Sequence, residues 1–312
     1  MSAAPRDLLE EIKRYVPGIR ADNSHHGIER LIILLLGFAG HGKSSLINSC
    51  MCVVKDDIYR NLAGAGEDEG GRTTKRTSHY LTNTICITDN RGFKNMKPGE
   101  ILEVCAQQRH LRLEGDFDWE RDNLQETIRC IPVVNKRLKE IILPVIVHRC
   151  PYNFKDDEEN SMITVIKKCQ EITGIPPIVV ITNVGPPDTR FANSAAILTR
   201  FGQMGCTNKI CLENYTENGP PRSQEADDQF LRFLKVCMDE TEHAIRQRGR
   251  RDQLDIFTKN VADQLKEEKE ENDRQVKMLK TELEESKKKV TELEESLRIE
   301  QAKSRNKRCS IL

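Results

Sequence analysis

A net charge, paired cysteines and a long apolar run are all missing from this 312-residue sequence, and each absence narrows what the chain can be. Forty-nine basic residues balance 49 acidic ones, so no global field draws the chain to nucleic acid, and an electrostatic partner has to be met by a local patch. The eleven cysteines, at 50, 52, 86, 105, 130, 150, 169, 206, 211, 237 and 309, contain no C-x-x-C pair and no dense framework. They read as the thiols of a reduced, cytoplasmic protein. The most apolar stretch, Leu31 to Leu36, spans six residues where a membrane helix needs about twenty, so no transmembrane helix is expected. The N-terminus, MSAAPRDLLEEIKRYV, is too charged for a signal peptide, and Ser2 stands where myristoylation requires glycine.

What is present divides into a core and a polar appendage. Hydrophobic residues at 37% fill one core, while a charged fraction of 31% places part of the chain outside it. Leu8, Leu9, Ile12, Tyr15 and Val16 recur at helical spacing and predict a short amphipathic helix docked on the domain C-terminal to it. Four short apolar runs then alternate with helical stretches: 31–36, 84–88, 143–148 and 177–182. Runs apolar on both faces fit strands buried between helix layers, which predicts an α/β domain of three layers around a mostly parallel sheet.

Beyond about Arg250 there is no proline, and no aromatic is found after Phe257. Val276, Leu279, Leu283, Val290, Leu293 and Leu297 fall on successive a and d heptad positions, with Ser286 the one polar member, and Lys280, Glu282, Lys287, Lys289 and Glu294 flank them at e and g. This pattern predicts a long C-terminal helix: a coiled coil, an amphipathic helix packed on the domain, or a solvated charged helix.

The strongest chemical signal is Gly37-Phe38-Ala39-Gly40-His41-Gly42-Lys43-Ser44, a G-x-x-x-x-G-K-S loop that comes directly after the 31–36 strand and opens a helix. Gly37, Gly40, His41, Gly42, Lys43, Ser44 and Ser45 are its expected nucleotide contacts. Backbone amides of such a loop converge on phosphates at a helix N-terminus, Lys43 meets the β and γ oxygens, and the Ser44 hydroxyl is offered to Mg²⁺. Asp89-Asn90-Arg91-Gly92 closes the 84–88 strand and matches D-x-x-G, with Asp89 serving the Mg²⁺ shell and Gly92 approaching the γ-phosphate. The polar stretch between the two motifs holds Thr73, Thr74 and Thr77, and Thr74 is the favoured switch residue closing on metal and phosphate. Thr182-Asn183-Val184-Gly185 stands where GTPases carry N-K-x-D; Asn183 fits, Val184 and Gly185 do not, and Asp188 is a substitute carboxylate. Cys211-Leu212-Glu213-Asn214 is a further candidate base support.

GFAGHGKSS, TTK, DNRGF and ITNVG occur in the order found in septin-like and dynamin-like large GTPases, and over roughly 30–215 the sequence resembles them, in particular the interferon-inducible guanylate-binding and immunity-associated GTPases. The resemblance implies a P-loop G domain that binds GTP with Mg²⁺, associates with a second G domain, and hydrolyses slowly or on stimulation. It also implies a role in immune defence or membrane remodelling. The expected layout is a helix and linker over 1–28, a G domain over 29–250 with a helical insert near 93–142, a charged helix or coiled coil over 251–302, and a polybasic tail over 303–312.

Phe93 occupies the place after D-x-x-G where many GTPases present a water-orienting glutamine. Hydrolysis is therefore expected to use His41, Arg91, Thr74 or a residue supplied across a homodimer. Cys309-Ser310-Ile311-Leu312 forms a C-a-a-X box behind Lys303, Arg305, Lys307 and Arg308. Its terminal leucine predicts geranylgeranylation of Cys309, and the basic residues supply the second signal for the cytosolic face of a membrane. No aromatic platform accompanies these basic residues, which argues against nucleic acid as their partner. Two rival readings stand beside this one: a non-hydrolysing scaffold that presents the coiled coil, and an ATP-dependent enzyme, disfavoured because no Walker-type acidic run appears.

Overall fold

A computed structural model describes residues 5–18, 27–63, 75–94, 96, 100–101, 104, 117–118, 139–151, 154, 156–183, 187–219, 221–247, 263, 266–284 and 286–289. Its strands are β1 (Arg30–Leu36), β2 (Lys75–Tyr80), β3 (Ile85–Asp89), β4 (Phe117–Asp118), β5 (Glu140–Arg149), β6 (Ile178–Thr182) and β7 (Lys209–Cys211). The helices that accompany them are α1 (Pro5–Arg14), α2 (Lys43–Lys55), α3 (Asp156–Thr173), α4 (Pro187–Gln203) and α5 (Gln224–Gln247).

The four apolar runs become the centre of one sheet ordered β4-β2-β3-β1-β5-β6-β7. From β3 to β7 all neighbours are parallel, while β2 runs antiparallel to β3, and β4 antiparallel to β2. The chain is thus an α/β protein with a mostly parallel sheet. Alternation along β1 explains its burial on both faces. Leu31, Ile33 and Leu35 share one core with Ile12 of α1, Leu46 and Ile47 of α2, and Phe233 and Leu234 of α5. Leu34 and Leu36 share the other with Met162 and Val165 of α3, and Ile197 and Phe201 of α4. Each such side chain contributes about 1.5–3 kcal/mol by leaving water, which makes the two-sided sheet the main source of stability.

The sheet order also fixes where a ligand can sit. From β1 the chain moves through α2 to β3 on one side, and later occupies β5, β6 and β7 on the other. This reversal opens a crevice beyond the C-terminal ends of the central strands, where doubly wound sheets bind ligands.

The N-terminal helix belongs to the same compact unit, which spans Met1–Thr258. Ile12 and Tyr15 are buried, and the Tyr15 hydroxyl donates to Glu242 Oε1 at 2.9 Å, an oxygen that also accepts from the Gly18 amide at 2.8 Å. Thr84 Oγ1 donates to the Tyr15 carbonyl and ties the end of α1 to the turn before β3. Eight cysteines lie among the described residues, and all but half-buried Cys211 are buried. The second unit, Lys259–Leu312, is helical over 266–284 and 286–289, with Val276, Met278, Leu279 and Leu283 exposed. Among the described residues no helix is long and apolar enough to cross a membrane. Of the expected 93–142 insert, most lies outside the described residues, Trp119 included, and its described part contributes the short β4.

Candidate functional site

Three of the sequence motifs converge at the C-terminal edge of the sheet. The phosphate-type loop 37–42 joins β1 to α2, the D-x-x-G segment leaves β3, and Thr182-Asn183 ends β6. The fold thus gathers Gly37–Ser45, Asp89–Gly92 and Thr182–Asn183 although up to 146 positions separate them (183 − 37).

The loop is shaped by close packing as well as by glycine flexibility. Gly37 has φ +143°, and a Cβ there would lie 2.2 Å from the Val147 carbonyl oxygen of β5. Gly92 meets the loop from the other side, since a Cβ there would lie 2.5 Å from the Ala39 nitrogen and 2.9 Å from Lys43 Nζ. Backbone hydrogen bonds hold this approach: the Phe93 amide donates to the Gly37 carbonyl at 3.0 Å, and the Ala39 amide to the Phe93 carbonyl at 3.1 Å. The rings of Phe38 and Phe93 meet edge-on at 5.7 Å and cover the joint with apolar surface. Two amides of the loop are therefore committed to the protein itself, that of Ala39 and that of His41, which donates to the Phe38 carbonyl at 3.4 Å, while the amides from Lys43 to Ser45 open the first turn of α2, where helix geometry supplies no intrahelical acceptor.

Lys43 is buried, its ammonium donating to the carbonyls of Phe38 at 2.9 Å and Gly37 at 3.1 Å. Burial lowers its pKa to about 8, against the opposing pull of Asp89. Beside it the Ser44 hydroxyl donates to Asp89 Oδ2 at 2.7 Å. A lysine, a serine hydroxyl and a carboxylate at a helix N-terminus form a donor set for phosphate oxygens and a hard oxygen-seeking cation. Mg²⁺ needs only one or two protein ligands in such a site, because substrate phosphates and water complete its shell. These residues fit both groups.

His41 lies inside the fold rather than on its surface. Its ring is buried, tilted against Phe38 at 5.2 Å and edge-on to His148 at 5.1 Å. His148 in turn stacks on Phe154 at 4.7 Å and meets Phe201 at 5.2 Å. Nδ1 of His41 accepts from the Arg149 amide at 3.3 Å. Burial above all, then His148, Lys43 and Arg149, push its pKa down to about 2, so the ring is a neutral acceptor at physiological pH. It anchors the loop to the end of β5.

Thr182 performs a similar task. Its buried hydroxyl donates to the His41 carbonyl at 2.9 Å, so its side chain holds the loop. Asn183, with φ +55°, donates from Nδ2 to the Cys150 carbonyl at 2.8 Å, and the Cys150 amide donates to the Thr182 carbonyl at 2.8 Å. The ends of β5 and β6 are thereby tied to each other and to the phosphate-type loop.

Sequence reading missed two of these braces. Asn214 stood only within a candidate base support, yet its Nδ2 donates to the Gly42 carbonyl at 3.0 Å, and the next amide, of Tyr215, donates to Ser49 Oγ of α2 at 2.9 Å. His148 lay unremarked in an apolar run; a histidine inside 143–148, one position before the strand end, was the available signal.

The remaining candidates divide by position. Gly40 sits in the loop with φ +74° and open space around it, Ser45 is half-buried in the first turn of α2, and Arg91 is half-buried beside Gly92. Thr77 lies on β2 in register with Asp89, three residues from the favoured Thr74. Thr73, Thr74, Val184, Gly185 and Cys309 lie outside the described residues, and of Asp188 only the backbone is described. No protein-family model matches the sequence, and no curated protein matches it.

Proposed function

We propose that this chain is a Mg²⁺-dependent GTP-binding protein that turns over GTP slowly, or faster when paired with a second copy. We further propose that it works at the cytosolic face of a membrane, in immune defence or membrane-associated signalling. The observation that carries the reading is the junction of Lys43 with the Ser44–Asp89 pair, at 2.7 Å, under a glycine loop at the switch point of the sheet. In this reading the amides of Gly40 and of Gly42 to Ser45, with the Lys43 ammonium, hold the phosphates. Ser44, Asp89 and Thr74 hold Mg²⁺, which when bound neutralises charge on the phosphate oxygens. Thr182 and Asn183 set the loop edge next to the base. With Phe93 packed on Phe38, no side chain at that position orients a water, and Arg91 or a residue from a second copy supplies charge stabilisation. His41 acts through the position of the loop.

Beyond the domain, the heptads over 276–297 pair as a coiled coil, and Cys309 with its four basic neighbours attaches the chain to anionic lipid through a geranylgeranyl group. A second reading, a non-hydrolysing scaffold, is favoured by Lys43 and Ala39 being bonded to the protein's own carbonyls.

Equilibrium binding of GTP to the purified chain, with ATP as competitor, tests the proposal. Lys43→Ala is expected to weaken GTP binding on the order of a hundredfold, the worth of a charge-assisted phosphate contact. Binding unchanged in that variant, or equal affinity for ATP, contradicts it. Tight GTP binding with no turnover in a single-turnover assay selects the scaffold reading.

A further inference from the structure

The helical residues 266–284 and 286–289 leave Val276, Leu279 and Leu283 exposed at 48%, 63% and 56%, in one stripe at a and d positions. Ser286 continues the stripe and is exposed. Lys269 and Asn272, one heptad earlier, end it on the N-terminal side. A helix in water gains nothing from such a stripe, and a partner that removes it from water does.

We propose that the stripe is the contact face of a parallel, in-register coiled coil between two copies of this chain. The charges flanking it carry the orientation. In a parallel pair each g side chain faces the e side chain five positions later in the other copy. Glu282 then meets Lys287 of the second copy, and Lys289 meets Glu294 of the second copy. Symmetry repeats both contacts, so all four fully charged flanking pairs along the apolar stripe are of opposite sign; one heptad earlier Glu268 faces Asp273 of the second copy and offsets part of that gain. Glu294 lies outside the described residues and is placed by heptad numbering alone. An antiparallel pair brings g against g and e against e. The alignment that sets Glu282 against Lys289 then also sets Lys280 against Lys287 and Asp273 against Glu294, so each attraction is offset by repulsions.

The stripe covers about three heptads and contains a serine, so the pairing is weak, with a dissociation constant in the roughly micromolar range. Parallel pairing puts the basic segments C-terminal to both helices at the same end, where they meet one anionic surface together and gain from effective concentration. The inference deepens the tail portion of the proposed function and does not depend on nucleotide binding.

Sedimentation equilibrium of the full-length, nucleotide-free chain up to about 100 µM tests it. The wild type is expected to dimerise. Glu282→Lys turns two attractions into repulsions and weakens the dimer about tenfold, and adding Lys287→Glu restores it to within about threefold of wild type. Ser286→Leu completes the apolar seam and tightens the dimer at least about tenfold, a gain that misfolding cannot imitate. A monomeric wild type overturns the proposal. So does a double charge swap no tighter than the single one, or a dimer indifferent to Ser286→Leu, which is then held elsewhere. Since GTP binding is read separately in the same samples, loss of this dimer with GTP binding intact leaves the nucleotide reading standing.

Discussion

At the residue scale the site is governed by burial of groups that sequence patterns treat as exposed chemistry. Lys43 has a pKa of about 8 because burial disfavours its charge, while bound phosphate favours it. If a triphosphate binds as proposed, its binding is expected to take up a proton near and above pH 8, with affinity falling as pH rises beyond that value. Calorimetry in buffers of different ionisation enthalpy should register this uptake at pH 8.5 and little of it at pH 6.5. His41 works in the opposite pH range. Its folded pKa of about 2 lies below the unfolded value of 6.5, so the unfolded chain binds a proton that the folded one does not. Stability from this group is present above pH 6.5 and is lost as pH falls toward 2. Denaturation midpoints of wild type and His41→Gln should diverge in slope below about pH 5.5, the wild type losing about 1.4 kcal/mol more per pH unit. Parallel slopes would mean that the ring is exposed in solution. The motif Gly37–Ser44 was legible from spacing alone, whereas the inward turn of His41 was not: it depends on His148 and Phe154, 107 and 113 positions away (148 − 41 and 154 − 41).

At the element scale, the strands with continuous apolar runs are where the sequence places them. The 31–36, 84–88, 143–148 and 177–182 runs correspond to β1, β3, β5 and β6 within a few residues. β2 was harder to read because KRTSHY carries no apolar run and pairs antiparallel; its buried Arg76 is a choice made by tertiary contacts. The approach of the D-x-x-G segment to the phosphate-type loop is similarly a property of packing, visible in the 2.5 Å that a Gly92 Cβ would leave to the Ala39 nitrogen. Gly92→Ala must displace one of the two segments, and thermal denaturation should show a loss of about 1–3 kcal/mol. A variant as stable as wild type would mean that the segments stand apart in solution. The docking of α1 has its own test. Tyr15→Phe leaves the buried Glu242 carboxylate with one hydrogen bond fewer, on a side chain whose Oε2 already lacks a partner, and should cost about 1–3 kcal/mol in urea denaturation. An unchanged midpoint would show that α1 is held by its apolar face alone.

At the scale of the whole molecule the chain divides into two compact units, Met1–Thr258 and Lys259–Leu312. The sheet order β4-β2-β3-β1-β5-β6-β7 explains how motifs spread over 147 residues (37 to 183) form one site: the loops at one end of a parallel sheet are neighbours whatever their separation in sequence. Spacing could name the loop and the D-x-x-G segment because each carries its chemistry in consecutive residues. It could not name Asn214, whose contribution is a single hydrogen bond to the Gly42 carbonyl across the fold. The proposed function requires this edge of the sheet to hold a guanine nucleotide with Mg²⁺. Calorimetric titration of the full chain with non-hydrolysable GTP and ATP analogues, with and without Mg²⁺, tests it most directly. The account predicts saturable binding of the GTP analogue that strengthens at least about tenfold with Mg²⁺ and exceeds that of the ATP analogue. Binding of neither analogue, or equal binding of both without regard to Mg²⁺, would contradict it.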